Sequence, residues 1–260
     1  MSTTSQRVLP LRPGLELTVR EWGEGPCVLL LHGGPGPDSL TPLAEHLALR
    51  HRVIVPVHPG WDDTRRPSEL DSVPRLADVY LDLLDHLEAD PVALVGTSFG
   101  GWIAAETILR DQGRRIGRLV LMDAIGPAMP GHRIAVPGQG PGTQSAPAGP
   151  VPPSAATGQS GPPRGPSPAS LAALRAYAGP DMQDPGLLER IKAVTRPVLV
   201  VWGENDQVVS SAYGRTYADA FHDARFALIP GAGHLPIREE PDATFAAIDG
   251  FLDADGPAPV

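Results

Sequence analysis

The chain is poor in cysteine, lysine and aromatic residues, and each scarcity removes a class of chemistry. Cys27 is its only cysteine, so no intrachain disulfide and no multi-cysteine metal site can form. It lies in the apolar run Cys27 to Leu31, which reads as a buried strand where a thiol packs as a small hydrophobe. Lys192 is the only lysine, although arginine is abundant. A phosphate-binding loop of the Gly-Lys-Ser/Thr type and most Schiff-base mechanisms therefore lack their central residue. A formal net charge of −9 without any basic cluster opposes a polyphosphate ligand, and nucleic acid is not an expected partner. No run of about 18 apolar residues occurs, and Met1 to Gly14 carries no apolar segment of secretion-signal length. The expectation is a soluble cytoplasmic protein with no membrane partner.

What is present is an apolar content of 42% over 260 residues, enough for a large core and for one α/β catalytic domain. Apolar β-rich runs alternate with helical patterns, as in a mostly parallel sheet covered on both faces by helices. Leu15 to Trp22 alternates like a strand after the turn pair Pro13-Gly14, which predicts an opening antiparallel hairpin. Cys27 to Leu31 and Arg52 to Pro56 read as strands around a helix near Pro42 to Arg50. Pro74 to Ala89 carries Leu76, Val79, Tyr80, Leu83, Leu84 and Leu87 at helical spacing, with proline in the first turn. A strand ending at Val95, a helix to about Asp111 and a strand at Arg118 to Met122 come next. Regular structure is expected again around Ser170 to Tyr177 and Pro185 to Val194, with strands at Pro197 to Trp202 and Arg225 to Ile229 and a helix from about Pro241 to Leu252.

Between Gly126 and Pro168 nearly half the residues are Gly or Pro and none is aromatic, so this stretch cannot build a core of its own. Because it separates two core strands, it reads as an insertion into one domain. It is either a surface excursion or a mobile lid over a pocket, and both leave that pocket more open than a roof of packed helices.

The chemistry concentrates at loops that follow strands. Gly96-Thr97-Ser98-Phe99-Gly100-Gly101 stands between an apolar strand and a helix, where glycines two residues either side of Ser98 permit a sharp turn. Such a turn lifts the Ser98 hydroxyl out of the sheet and aims the N–H groups of the next helix at the same place. A serine hydroxyl needs a base and a group to orient it. His234, in Pro230-Gly231-Ala232-Gly233-His234-Leu235 just beyond a strand, is the best placed of the eight histidines. His46, His51, His86 and His222 fall in or near helix surfaces. Asp206, in Trp202-Gly203-Glu204-Asn205-Asp206, is the expected orienting carboxylate, with Glu204 and Asp123 as rivals. His32-Gly33-Gly34-Pro35-Gly36 follows the strand Cys27 to Leu31 and supplies unhindered backbone donors. Gly34 N–H and Phe99 N–H are the predicted oxyanion hole, with His32 bracing the loop and a cis bond before Pro35 as one way to fix the turn. No metal ligands are expected among these residues.

From about Leu15 to Leu252 these pieces, in this order, resemble the α/β-hydrolase superfamily. The resemblance implies an eight-stranded sheet whose second strand is antiparallel, a lid inserted after the sixth strand and no cofactor for the basic reaction. It also implies that Ser98 is the nucleophile, Asp206 the acid and His234 the base. Serine at the turn, in place of aspartate, argues against the epoxide hydrolase and haloalkane dehalogenase branches. The segment His32 to Gly36 is similar to the oxyanion loop of proline iminopeptidases, but the acidic cap of those enzymes has no counterpart in Gly126 to Pro168, which contains no Asp or Glu. His58-Pro59-Gly60-Trp61-Asp62-Asp63-Thr64 occupies the loop that lines many pockets of the superfamily, so Trp61 is either a pocket wall or packing for that loop.

The expected activity is hydrolysis of a small-molecule carboxylic ester through an acyl-enzyme. Amide or peptide cleavage, acyl transfer and lactone formation remain open on the same residues, as does a ligand-binding protein that kept the scaffold without turnover.

Overall fold

The computed structural model describes residues 5–89, 91–135 and 166–254. Its centre is an eight-stranded sheet of β1 (Ser5–Arg12), β2 (Leu15–Trp22), β3 (Cys27–Leu31), β4 (Arg52–Pro56), β5 (Val92–Thr97), β6 (Ile116–Met122), β7 (Val198–Gly203) and β8 (Ala224–Ile229). Their spatial order is β1-β2-β4-β3-β5-β6-β7-β8. β2 runs antiparallel to both β1 and β4, and all other pairs are parallel. The Pro13-Gly14 turn closes the first hairpin as expected, with Gly14 at φ 78.

Helices α1 (Thr41–Leu47), α2 (Val73–His86), α3 (Phe99–Asp111), α4 (Pro168–Ala178), α5 (Leu187–Arg190), α6 (Ser211–Asp219), α7 (Pro236–Glu239) and α8 (Pro241–Leu252) complete the described elements. Proline occupies the first turn of α1, α2, α4, α7 and α8, where its missing N–H has no intrahelical acceptor to lose.

Successive side chains of a strand point to opposite faces, and this alternation divides the core in two. Val28 and Leu30 of β3, Val53 and Val55 of β4 and Val201 of β7 pack with Leu43 and Leu47 of α1 and Ile248 and Phe251 of α8. Leu29 and Leu31, Ile54 and Val200 pack on the other face with Leu76 and Leu83 of α2, Ile103 and Ile108 of α3 and Tyr213 and Tyr217 of α6. Both faces of the central strands are therefore buried, which is why these strands read as unbroken apolar runs.

Three elements depart from the sequence reading. α6 was not anticipated, because Gly214 sits in its middle and its apolar stripe is carried by Tyr213, Tyr217 and Ala218 alone. The expected segment Pro185 to Val194 divides into α5 and a short 3-10 turn, Ile191–Ala193. The Gly126 to Pro168 insertion begins with ordered chain: Gly126–Pro127 pairs with Gln183–Asp184 in a small parallel sheet, Met129 is buried, and Ala135 N–H donates to Val208 O at 2.8 Å. The rest of that expectation falls on 136–165, outside the described residues.

Gly214 shows why tertiary packing overrides propensity in α6. A Cβ there would lie 2.2 Å from the indole of Trp202, a side chain with no solvent exposure. Alanine would gain about 1 kcal/mol of helix propensity but overpack the core at a cost of about 1–3 kcal/mol or more. Gly214→Ala is expected to lower the urea-unfolding free energy, whereas propensity alone would raise it.

Candidate active site

Ser98 closes β5 and caps α3 at φ 52 and ψ −117, a left-handed conformation that costs a non-glycine residue strain. The surroundings hold it there. Ser98 N–H donates to Met122 O at 2.9 Å, and Ser98 O accepts from Gly101 N–H at 3.0 Å and Ile125 N–H at 3.2 Å. The two flanking glycines have distinct steric reasons. A Cβ on Gly96 would lie 2.3 Å from Gly100 O, and one on Gly100 would lie 2.1 Å from Leu31 O.

The other two residues arrive from the ends of β7 and β8. His234 Nε2 is 2.9 Å from Ser98 Oγ, and His234 Nδ1 is 2.8 Å from Asp206 Oδ2. The Asp206 side chain is fully shielded from solvent while His234 retains 19% exposure. Asp206 Oδ1 accepts Val208 N–H at 2.7 Å and Val209 N–H at 3.1 Å. With Asp206 accepting at Nδ1, the Nδ1–H tautomer leaves Nε2 free to accept from the serine hydroxyl. Ser98, His234 and Asp206 thus form a continuous chain capable of removing the hydroxyl proton.

Of the two rival carboxylates, neither contacts the histidine in this way. Asp123 Oδ1 accepts Gly203 N–H at 2.9 Å and Glu204 Oε2 accepts Gly231 N–H at 3.0 Å, while a further acid, Glu239, accepts Gly233 N–H at 2.5 Å and Leu235 N–H at 3.3 Å. Glu204 and Glu239 both hold the histidine loop by its backbone N–H groups. Gly203 lets that loop pass, since a Cβ there would lie 2.0 Å from Gly233 O. Glu239 was not identified from sequence; its signal is its position five residues beyond His234, in the short helix α7.

The glycine loop after β3 approaches the same serine. A Cβ on Gly33 would lie 3.0 Å from Ser98 Cβ, and one on Gly34 would lie 2.9 Å from Pro166. Trp61 Nε1 donates to Gly34 O at 3.0 Å and is almost wholly buried, stacked near Phe99 and Tyr177. Of the two roles open to it, Trp61 packs and orients the loop.

His32 braces this loop, as expected, through a partner that was not. His58 N–H donates to His32 Nε2 at 3.1 Å, His58 Nε2–H donates to His32 O at 2.8 Å, and the rings stack with centroids 3.6 Å apart. Tyr80 O–H donates to His58 Nδ1, while His32 Nδ1–H donates to Gly33 O at 2.8 Å. Because His32 Nε2 must accept the His58 N–H, His32 is neutral, and a neutral His58 takes the Tyr80 hydroxyl proton at Nδ1. Burial pushes His32 down to about 3 and His58 well below the ordinary histidine value. The distance of His58 from the other strand-end loops in sequence hid this role.

Among the described residues, Asp123, Asp206 and His234 place one potential ligand atom each within 4.8 Å of one another. Asp206 Oδ2 and His234 Nδ1 are already directed at each other at hydrogen-bond distance. No helix of the described residues is long and apolar enough to cross a membrane.

A sheet of this order with a serine at the turn after β5, and a histidine and a carboxylate delivered by the loops after β8 and β7, defines a protein of the α/β-hydrolase class. Residues 28–248 match the model of the Alpha/beta hydrolase family, and the chain belongs to that family. It is 36% identical over 121 residues to a 2-hydroxy-6-oxo-2,4-heptadienoate hydrolase of Pseudomonas putida, covering 45% of this chain and 44% of that protein. It is 34% identical over 125 residues to a 2-hydroxymuconate semialdehyde hydrolase of a Pseudomonas species, covering 45% of this chain and 43% of that protein. The chain thus spans less than half the length of these two relatives. A thermophilic esterase from Thermogutta terrifontis shares its fold with a TM-score of 0.71 at 24% identity, covering 97% of this chain and 98% of that one.

The buried neutral histidines make stability pH-dependent with a definite sign. An unfolded histidine binds a proton near its ordinary value of 6.5, whereas folded His32 resists it until about 3. Over that window the unfolded state holds more protons, so this contribution is lost as pH falls below about 6.5. Urea-unfolding free energies are expected to drop from about pH 7 to about pH 4, and the drop should be shallower in His58→Gln. An equal slope in the two proteins would show that His58 is not held neutral.

Proposed function

We propose that this protein is a serine hydrolase that cleaves a small-molecule carboxylic ester through an acyl-enzyme. The 2.9 Å contact between His234 Nε2 and Ser98 Oγ carries this reading, because it joins a weak nucleophile to a base already oriented by a buried carboxylate. Ser98 Oγ attacks the carbonyl carbon as His234 Nε2 takes its proton, giving a tetrahedral oxyanion. Gly34 N–H and Phe99 N–H are the donors for that oxygen, and the first turn of α3 adds the positive end of its dipole. The imidazolium passes its proton to the leaving alcohol, and the carbonyl re-forms as an acyl group on Ser98. Water then attacks the acyl carbon, giving its proton to His234, which returns it to Ser98 as the acid leaves. Asp206 keeps the proton on Nδ1 throughout and stabilises the transient imidazolium.

A second reading rests on the two relatives named as hydrolases of an oxo-dienoate and a semialdehyde. It assigns the same serine to a conjugated oxo acid in place of an ester.

On an activated ester, Ser98→Ala is expected to lower kcat by about a thousandfold or more with the cooperative unfolding transition retained. A fluorophosphonate probe is expected to label Ser98 covalently in the wild-type chain. Well-folded protein that resists the probe would overturn the hydrolase reading in favour of ligand binding alone. Comparison of esters of increasing acyl length with amides and conjugated oxo acids separates the two enzymatic readings.

A further inference from the structure

Asp123 is a buried acid that the proposed reaction leaves unused. It follows β6 at φ 44 and has no solvent exposure. Its Oδ1 accepts Gly203 N–H at 2.9 Å, whereas Oδ2 is buried with no donor directed at it. An ionised carboxylate in that position would lack the hydrogen bonds its charge requires.

The neighbouring groups increase the difficulty. Asp123, Asp206 and His234 crowd one ligating atom each within 4.8 Å, and Glu239 adds negative charge from α7. Two carboxyl groups, both shielded from water, thus face one imidazole, and buried like charges repel strongly. Donors are distributed unequally between them. Asp206 receives Val208 N–H, Val209 N–H and His234 Nδ1–H, which makes it the site for the single negative charge.

We propose that Asp123 is held as a neutral acid whose Oδ2–H donates a hydrogen bond to the Asp206 carboxylate, making Asp123 a positioning residue for the Asp206–His234 pair. Burial foremost, together with the negative charge of Asp206 and a hydrogen bond to it, pushes the Asp123 carboxyl well above the usual carboxylate range, against the opposing effect of Gly203 N–H. One proton then serves two carboxyls. The pair carries a single negative charge, matched by the imidazolium that forms when His234 takes the Ser98 proton. The added donor also fixes Asp206 against rotation, and Asp123 no longer competes as an acceptor for His234 Nδ1–H. The consequence for turnover rests on the hydrolase reading above; the protonation does not.

Infrared difference spectroscopy with 13C-labelled aspartate tests this on the intact chain. At neutral pH the wild-type protein is expected to show the C=O stretch of a protonated, hydrogen-bonded carboxyl. Asp123→Asn, whose amide keeps both a donor and an acceptor and tolerates a positive φ, is expected to abolish that band. Asp206→Asn is expected to keep the band but move it to higher frequency, because the acceptor is no longer charged. Absence of the band from wild-type protein would overturn the proposal, and so would a band that Asp206→Asn leaves unmoved. Asp123→Ala, which removes the donor, should lower kcat about tenfold or more, with Asn in its place losing less. Fluorophosphonate labelling of Ser98 reports separately on the hydrolase reading, so either inference can fail without the other.

Discussion

The first turn of α3 lies so close to the ends of β3 and β5 that no side chain fits between them, and the rest of the site follows from that approach. Gly96 and Gly100 face backbone oxygens at distances that exclude even a methyl group. The helix can therefore begin immediately after the strand, with Ser98 at the corner in a strained conformation secured by β6 and the chain beyond it. A single contact thereby sets the height of the hydroxyl, the direction of the helix N–H groups and the space left for the glycine loop after β3. The large apolar core on both faces of the sheet stabilises what local preference would not choose.

Around this corner the protein removes charge where it is not needed. His32, His58 and Tyr80 form a dry network with every ring nitrogen occupied, so the glycine loop is held by neutral hydrogen bonds and stacking. Glu204 and Glu239 meet the histidine loop through its backbone N–H groups and not through the imidazole. Asp206 is the carboxylate whose buried side chain touches the histidine directly. A proton on Asp123 would extend the same economy of charge to the innermost acid. Interactions in so dry a place are stronger than in water, for attraction and repulsion alike.

How much of this was legible depended on how local its causes are. Cys27 to Leu31, Arg52 to Pro56 and Pro241 to Leu252 were readable because continuous burial or helical periodicity shows directly in residue order. Ser98, His234 and Asp206 were readable because each follows a strand beside turn-forming glycines, and parallel strands deliver such loops to one edge. α6 escaped notice because Gly214 answers to the Trp202 ring, a partner twelve residues earlier in the chain but adjacent in space. His58 escaped because its role is defined by His32 and Tyr80, 26 residues before it and 22 after it. The pairing of Gly126–Pro127 with Gln183–Asp184 was not legible for a related reason, since its partner strand lies far along the chain.

Residue order alone determined the alternation of strand and helix, the serine turn and the types of group available for chemistry, because hydrophobic period and glycine placement act over a few residues. The tertiary structure alone decided where the rival carboxylates Asp123 and Glu204 go, whether Trp61 packs its loop, and which histidines lose their charge. Those outcomes are set by distances between segments far apart in the chain and by the exclusion of water from the space between them, and neither is encoded in any one segment.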